Sequence, residues 1–220
     1  MDITASMVKE LREKTGAGMM DCKKALSENA GDATKAAEWL RVKGLSSAGK
    51  KAGRAAAEGA VMSYIHMGGK IGVLVEINCE SDFVARGDVF QEFTKDVAMH
   101  IAAAAPEFLK RDDVPADRVA KEKALFEAEV KEQGKPAAVV DKIVKGKVDK
   151  WFAEVCLLDQ PFVKEPKTTV EQLRAAIVSK TGENVQIRRF NRYVLGEGIE
   201  KKVENLAEEI AKMQAEVLKT

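Results

Sequence analysis

Acid–base, nucleophilic or metal chemistry in this chain has few places to start. There are two histidines, His66 and His100, and three cysteines, Cys22, Cys79 and Cys156. An odd number of widely spaced cysteines is not a disulfide framework, and no CxxC pair is present to open a zinc site. The thiols therefore read as reduced residues of a cytosolic protein. Cys22 lies between Asp21 and Lys23-Lys24, and nearby lysines can lower a thiol's pKa and make it nucleophilic. A cysteine inside a short helix is otherwise a small buried hydrophobe. His100 sits in a helical stretch with no acid paired to it in an evident relay, and reads as a surface or interface histidine. Asp112-Asp113 and Glu208-Glu209 read as solvated charge. No Walker loop, GxGxxG or GxSxG is present. Lys50, Lys51 and Arg54 form either a small phosphate-binding patch or a solvated linker. Neither cofactor nor metal is expected.

One segment has an unusual local order: Asn78-Cys-Glu-Ser-Asp-Phe-Val-Ala-Arg86. It marks a switch from strand to helix. Ser81 is placed to cap the helix, and Asp82 sits in the first turn, where negative charge suits the helix dipole. Phe83 follows. An aromatic there ordinarily belongs to the core, and the alternative is an anchor that enters another protein's pocket.

The rest of the chain must position that corner. Its 220 residues are 45% hydrophobic but 5% aromatic, so the core is aliphatic and alanine-rich. Charged residues make up 32% with a net charge of +1, which argues against nucleic acid or an anionic membrane as the main partner. The N-terminus has no long apolar run and no stretch approaches the ~20 residues of a membrane span, which predicts a soluble, cytoplasmic protein.

Residues 2–44 predict three short helices. Thr4 caps the first, with Ile3, Met7, Val8 and Leu11 on one face. Met19 to Leu26 form the second, ended by Asn29-Ala-Gly31. Asp32 caps the third, with Ala36, Trp39 and Leu40 inward and Gly44 as its stop. Residues 45–58 read as a flexible or partly helical linker. A β-hairpin follows over 59–79, turning at Gly68-Gly69, with Ile71, Val73, Val75 and Ile77 alternating on one face. A third strand is expected at 185–195. Residues 82–105 predict one helix with Phe90, Phe93, Val97 and Ile101 inward. Residues 117–133 and 137–156 predict an antiparallel helical hairpin, packed as core or projecting as a coiled coil. A helix capped by Thr168 or Thr169 follows to 181. A last one, from about Ile199, carries a heptad stripe through Val203, Leu206, Ile210, Met213 and Val217. The expected class is α+β, in five parts: a helical unit with linker at 1–54, a core at 55–116 and 157–198, the hairpin at 117–156, and a C-terminal helical module at 199–220.

Two long blocks, Val8 to Leu26 (VKELREKTGAGMMDCKKAL) and Glu76 to Phe90 (EINCESDFVARGDVF), resemble the two signatures of the elongation factor Ts family. QPFVKEP at 160–166 and VLGEGIEKK at 194–202 resemble later blocks, so the likeness covers nearly the whole chain. One departure is Ser81, where the family usually has threonine; either supplies a capping hydroxyl. The resemblance implies a guanine nucleotide exchange factor for elongation factor Tu that acts by binding rather than as an enzyme. A non-catalytic adaptor or chaperone-like interaction protein is the alternative. It implies a ubiquitin-associated-like N-terminal domain that docks on the GTPase through Met19, Met20 and Lys23. It also implies a wedge at the partner's Mg²⁺ and nucleotide site made by Ser81, Asp82, Phe83 and Val84. Longer family members carry a duplicated core, one copy with the Asp-Phe wedge and the other with an Ile-Gly strand and a helical histidine. This chain has one copy that holds Asp82-Phe83 together with Ile71, Gly72 and His100. That predicts a homodimer in which each subunit supplies one set, joined through the core sheet or through the hairpin at 117–156, which resembles the family's coiled-coil dimerisation element.

Overall fold

A computed structural model describes residues 2–134 and 136–199. Residues 200–220 of the expected C-terminal helix lie outside these residues.

Three helices open the chain: α1 (Ala5–Thr15), α2 (Met19–Glu28) and α3 (Ala33–Lys51). Their caps are those the sequence predicts. The Thr4 hydroxyl accepts from the Met7 amide, and the Asp32 carboxylate accepts from the amides of Thr34 and Lys35 at 2.9 and 3.1 Å. Val8, Leu11, Cys22, Ala25, Leu26, Ala36 and Leu40 form one buried cluster, with Ile3, Met7 and Trp39 packed against it.

Gly44 does not stop α3, which runs on to Lys51. A Cβ on Gly44 would lie 3.2 Å from Ser179 Oγ and 3.9 Å from the Ala175 carbonyl. Gly44 is thus the point where α3 crosses α8 (Val170–Thr181), and four residues on Ala48 is fully buried in the next cluster. Half of the expected linker, 45–51, is therefore helix, because packing against α8 outweighs the weak propensity of Leu-Ser-Ser-Ala-Gly. Gly44→Ala is expected to stay within ~0.5 kcal/mol of the parent, since the gain in helix propensity offsets a small shift of the Ser179 hydroxyl. Gly44→Leu is expected to cost about 1–3 kcal/mol by overpacking the crossing, measured by urea unfolding.

The central sheet has the order β1 (Glu58–His66), β2 (Ile71–Cys79), β5 (Gln186–Val194), all antiparallel. The expected third strand is in place, and β2 lies in the middle. The hairpin connection is longer than a two-glycine turn. His66 pairs with Ile71, and Met67, Gly68 and Gly69 all carry positive φ, at 50°, 63° and 92°. One face of the sheet supplies Val73, Val75, Ile77 and Ile187 to the main core, where Phe90, Phe93, Val97 and Ile101 meet them.

Those four residues lie inward as expected, but on the second of two helices. Residues 82–105 divide into α4 (Asp82–Arg86) and α5 (Asp88–Ala104) at Gly87, whose ψ of 142° is extended. The helical hairpin is α6 (Ala116–Glu132) and α7 (Ala137–Val155). Its base holds Val114, Trp151 and Val155, with Phe108, Phe126 and Phe152 against them. Its entry and exit segments are tied by amides of Leu157 and Leu158 donating to the carbonyls of Phe108 and Leu109. A two-stranded ribbon, β3 (Pro161–Phe162) and β4 (Glu165–Thr169), was not anticipated from the sequence. Of the two candidate caps for α8, Thr169 is the one used, in a reciprocal capping box with Gln172. No described helix is long and apolar enough to cross a membrane.

Candidate functional site

The corner at Ser81–Arg86 begins where β2 ends. A strand leaving the sheet at Cys79 must satisfy new amides at once, and Ser81 does so by accepting from Val84 N at 3.3 Å. Asp82 lies in the first turn and pairs with Arg86 one turn on. Val84 and Ala85 turn back onto the core. That leaves Phe83 facing out, at 82% exposure. The ordinary expectation of a core aromatic is wrong here. A benzyl group kept in water forgoes roughly 1.5–3 kcal/mol of burial, and an exposed large apolar side chain on a tied corner is a candidate anchor.

The corner is held by residues that sequence reasoning missed. Glu183, in the turn after α8, accepts from the amides of Glu80 and Ser81, both at 3.0 Å. Its other oxygen accepts from the Ser81 hydroxyl at 2.6 Å. Glu80 returns the contact by accepting from the Asn184 amide at 2.6 Å. Asn184 is fully buried and donates to the Arg54 carbonyl at 2.8 Å, while Lys51 donates to the Gly182 carbonyl, also at 2.8 Å. Lys51 and Arg54 thus join this polar knot, Arg54 also pairing with Glu80 at 3.5 Å. No local pattern announces a contact spanning some hundred residues. A charged residue directly after a helix-ending glycine is the faintest of hints.

Cys79, below the corner, donates to the Ser81 carbonyl at 3.1 Å, and burial raises its thiol pKa. Burial likewise raises Cys22 and pushes Cys156 up to about 11. All three thiols are free and buried, so Cys22 is a core residue, and its neighbouring lysines do not activate it. Among the described residues no cluster of three metal-ligating side chains occurs.

Met19, Met20 and Lys23 share the outer face of α2, opposite Cys22, Ala25 and Leu26; Met20 is 77% exposed. Ile71 and Gly72 lie at the start of β2, half-buried. The end of α5 lies beneath them, because Arg192, opposite Val73, donates to the Ala102 carbonyl. His100 is therefore at the same end of the core, but inside it. It is fully buried, with Nε2 2.9 Å from Gln160 Oε1 and Nδ1 accepting from the Val163 amide. The expected surface or interface histidine is a core histidine here, because Phe162 of the unforeseen ribbon covers it.

The two residue sets thus sit at opposite ends of β2. Eight strand steps of ~3.3 Å separate Ile71 from Cys79 by about 26 Å. The outer face of the sheet between them mixes exposed apolar with polar side chains, in three cross-strand rows: Val61–Glu76–Arg189, Ser63–Leu74–Asn191 and Ile65–Gly72–Tyr193. Val61, Ile65, Leu74 and Tyr193 are 68, 64, 47 and 65% exposed.

Burial lowers the pKa of His100, against a smaller opposing effect of Gln160. In the unfolded chain its imidazole takes a proton as pH falls through about 6.5, and in the fold only at lower pH. Its contribution to stability is complete above the unfolded value and is lost as pH falls through the lowered folded one. Between pH 7 and 5 the melting temperature is therefore expected to fall, and by less in His100→Gln. Equal losses in both proteins would place the effect elsewhere.

The family model described as elongation factor TS matches residues 35–197. A protein named elongation factor Ts from Anaeromyxobacter sp. is 63% identical over 211 residues, covering 96% of each chain. The same name belongs to relatives from Geobacter sulfurreducens, 57% identical over 96% of this chain and 98% of that one, and from Alkaliphilus oremlandii, 58% identical over 98% and 100%.

Proposed function

The chain belongs to the elongation factor Ts family, and from that premise we propose that it is a guanine nucleotide exchange factor for elongation factor Tu, working in the cytoplasm during translation elongation. It acts by binding and carries out no bond chemistry of its own. The observation that carries this reading is Phe83, held 82% exposed on a capped corner with Asp82 beside it. Inserted next to the partner's Mg²⁺ and nucleotide site, the aromatic ring displaces the loops that hold the metal and phosphates. Val84, half-buried behind it, braces the wedge against the core.

Because the factor binds the nucleotide-free GTPase best, linkage requires it to weaken nucleotide binding by the same factor. Each 1.4 kcal/mol of coupling is a tenfold loss of GDP affinity. Met19, Met20 and Lys23 form the docking face of the N-terminal helical unit, which is ubiquitin-associated-like. Ile71 and Gly72 form a second contact at the far end of β2, and His100 supports it from inside rather than by touching the partner.

The acting unit is a homodimer. Two contact sets about 26 Å apart on one small core support it, as do the exposed side chains of Val61, Ile65, Leu74 and Tyr193 on the outer sheet face. The decisive assay mixes the protein with elongation factor Tu loaded with fluorescent GDP and excess unlabelled nucleotide. Faster loss of fluorescence is expected, in proportion to added protein until saturation. Release at the spontaneous rate would overturn the reading and leave a non-catalytic adaptor.

A further inference from the structure

Building on the exchange reading, we propose that Glu183 is a positioning residue: it fixes the direction of the Phe83 wedge by locking the cap of α4. The need for such a residue follows from the corner itself. α4 has five residues, too few to hold a helix on its own propensity, and it is bounded by an extended residue on each side, Ser81 and Gly87. Within the corner, the Asp82–Arg86 pair and the inward packing of Val84 and Ala85 hold the far side of the turn, and its start at Ser81 needs a partner from elsewhere.

Glu183 supplies what is missing. Its carboxylate receives three hydrogen bonds, from the amides of Glu80 and Ser81 and from the Ser81 hydroxyl. The hydroxyl bond matters most. A serine hydroxyl has one proton to give, and here it goes to Glu183. The hydroxyl's lone pairs are then turned toward Val84 N, the amide that the cap must satisfy. Glu183 therefore determines the rotamer that makes Ser81 a cap, and a charged acceptor makes these bonds stronger than neutral ones.

The clamp is itself anchored. Glu80 accepts from the next amide along, that of Asn184, so the two segments exchange bonds in both directions. The turn carrying Glu183 is tied to the end of α3 through Asn184 to the Arg54 carbonyl and through Lys51 to the Gly182 carbonyl. A solvated surface acid would not make three bonds to residues about a hundred positions away, two of them at the residue that caps the wedge.

Four proteins test this: E183A, E183Q, Phe83→Ala, and E183A combined with Phe83→Ala. With E183A, GDP release from elongation factor Tu at saturating factor is expected to fall about tenfold, since displacement of a contact by ~1 Å can cost that much or more. The concentration giving half the maximal effect should stay within about twofold, because the docking face of α2 is untouched. The double variant should be no slower than Phe83→Ala alone, as Glu183 acts only through Phe83. E183Q should fall between, because its amide oxygen still accepts backbone donors while its NH₂ cannot accept the Ser81 proton.

A full rate in both E183A and E183Q, or an equal further loss on top of Phe83→Ala, would overturn the proposal. Should E183A fail to fold, E183Q decides alone by the same criterion. Amide hydrogen exchange at Ser81 and Val84, measured without any partner, is expected to be at least tenfold faster in the variants. Unchanged protection refutes the clamp whatever the nucleotide assay gives, whereas a parent protein that does not speed GDP release refutes the exchange reading instead.

Discussion

Phe83→Ala is expected to slow factor-stimulated GDP release about 30-fold while leaving the melting temperature within about 2 °C of the parent. The two halves of that expectation have separate causes. Phe83 is 82% exposed and lies outside the core, so truncation removes little native burial. Ser81 still caps α4, and Val84 and Ala85 still pack inward. Surface changes of that kind usually stay within ~0.5 kcal/mol. Function responds differently. An aromatic anchor buried in a partner's pocket is commonly worth at least ~2 kcal/mol, and 1.36 kcal/mol is tenfold in rate. The rate at saturating factor is the number to measure, with Phe83→Leu as an intermediate that keeps apolar bulk but loses the flat ring. A Phe83→Ala protein that exchanges at the parental rate would remove the wedge and leave family membership intact.

The contrast between Phe83 and His100 explains how far the sequence could be read. Local rules depend on neighbours in the chain, and they held: Thr4, Asp32, Ser81 and Thr169 all cap the helices they precede. The alternation of Val73, Val75 and Ile77 identified the buried face of β2, and the third strand fell where the β-rich run at 185–195 predicts it. The failures came where a distant segment decides. Gly44 has the look of a helix stop, yet α8 lies against it and the helix continues. His100 reads as a surface residue until a two-stranded ribbon sixty positions later covers it. Phe83 reads as core because a one-dimensional pattern does not show that Val84 and Ala85 already fill the space behind it. Glu183 has no local signature, since its meaning lies entirely in the segment it touches. The corner's residues were legible from Asn78 to Arg86; what holds the corner was not.

On the proposed homodimer, Leu74→Arg is expected to separate the two copies and to cost at least tenfold in the proposed exchange activity without weakening the fold. Leu74 stands in the middle row of the outer sheet face, between Ser63 and Asn191, with Val61 and Ile65 on one side and Tyr193 on the other. Ile65 leans over Gly72, its Cδ1 3.4 Å from where a Cβ would stand, and Ile65 and Tyr193 remain the exposed apolar groups of that row. The only charged row is at one end, where Glu76 is already neutralised by Arg188 and Arg189 at 2.6 Å each. A face with Val61, Ile65, Leu74 and Tyr193 exposed among small polar groups, its charge confined to one end, is suited to meet its own copy across a two-fold axis. An arginine at its centre would place two unpaired charges opposite each other, a penalty of several kcal/mol. In the single chain the same arginine reaches water freely, because Leu74 is already 47% exposed, so unfolding should be unaffected. Sedimentation across the working concentration range reads the assembly, and fluorescent GDP release reads the function. Ile65→Glu, in the neighbouring row, should behave alike. If either variant sediments as a monomer yet exchanges at the parental rate, then one chain suffices, and the Ile71–Gly72 end of the sheet has no part in the same event as Phe83.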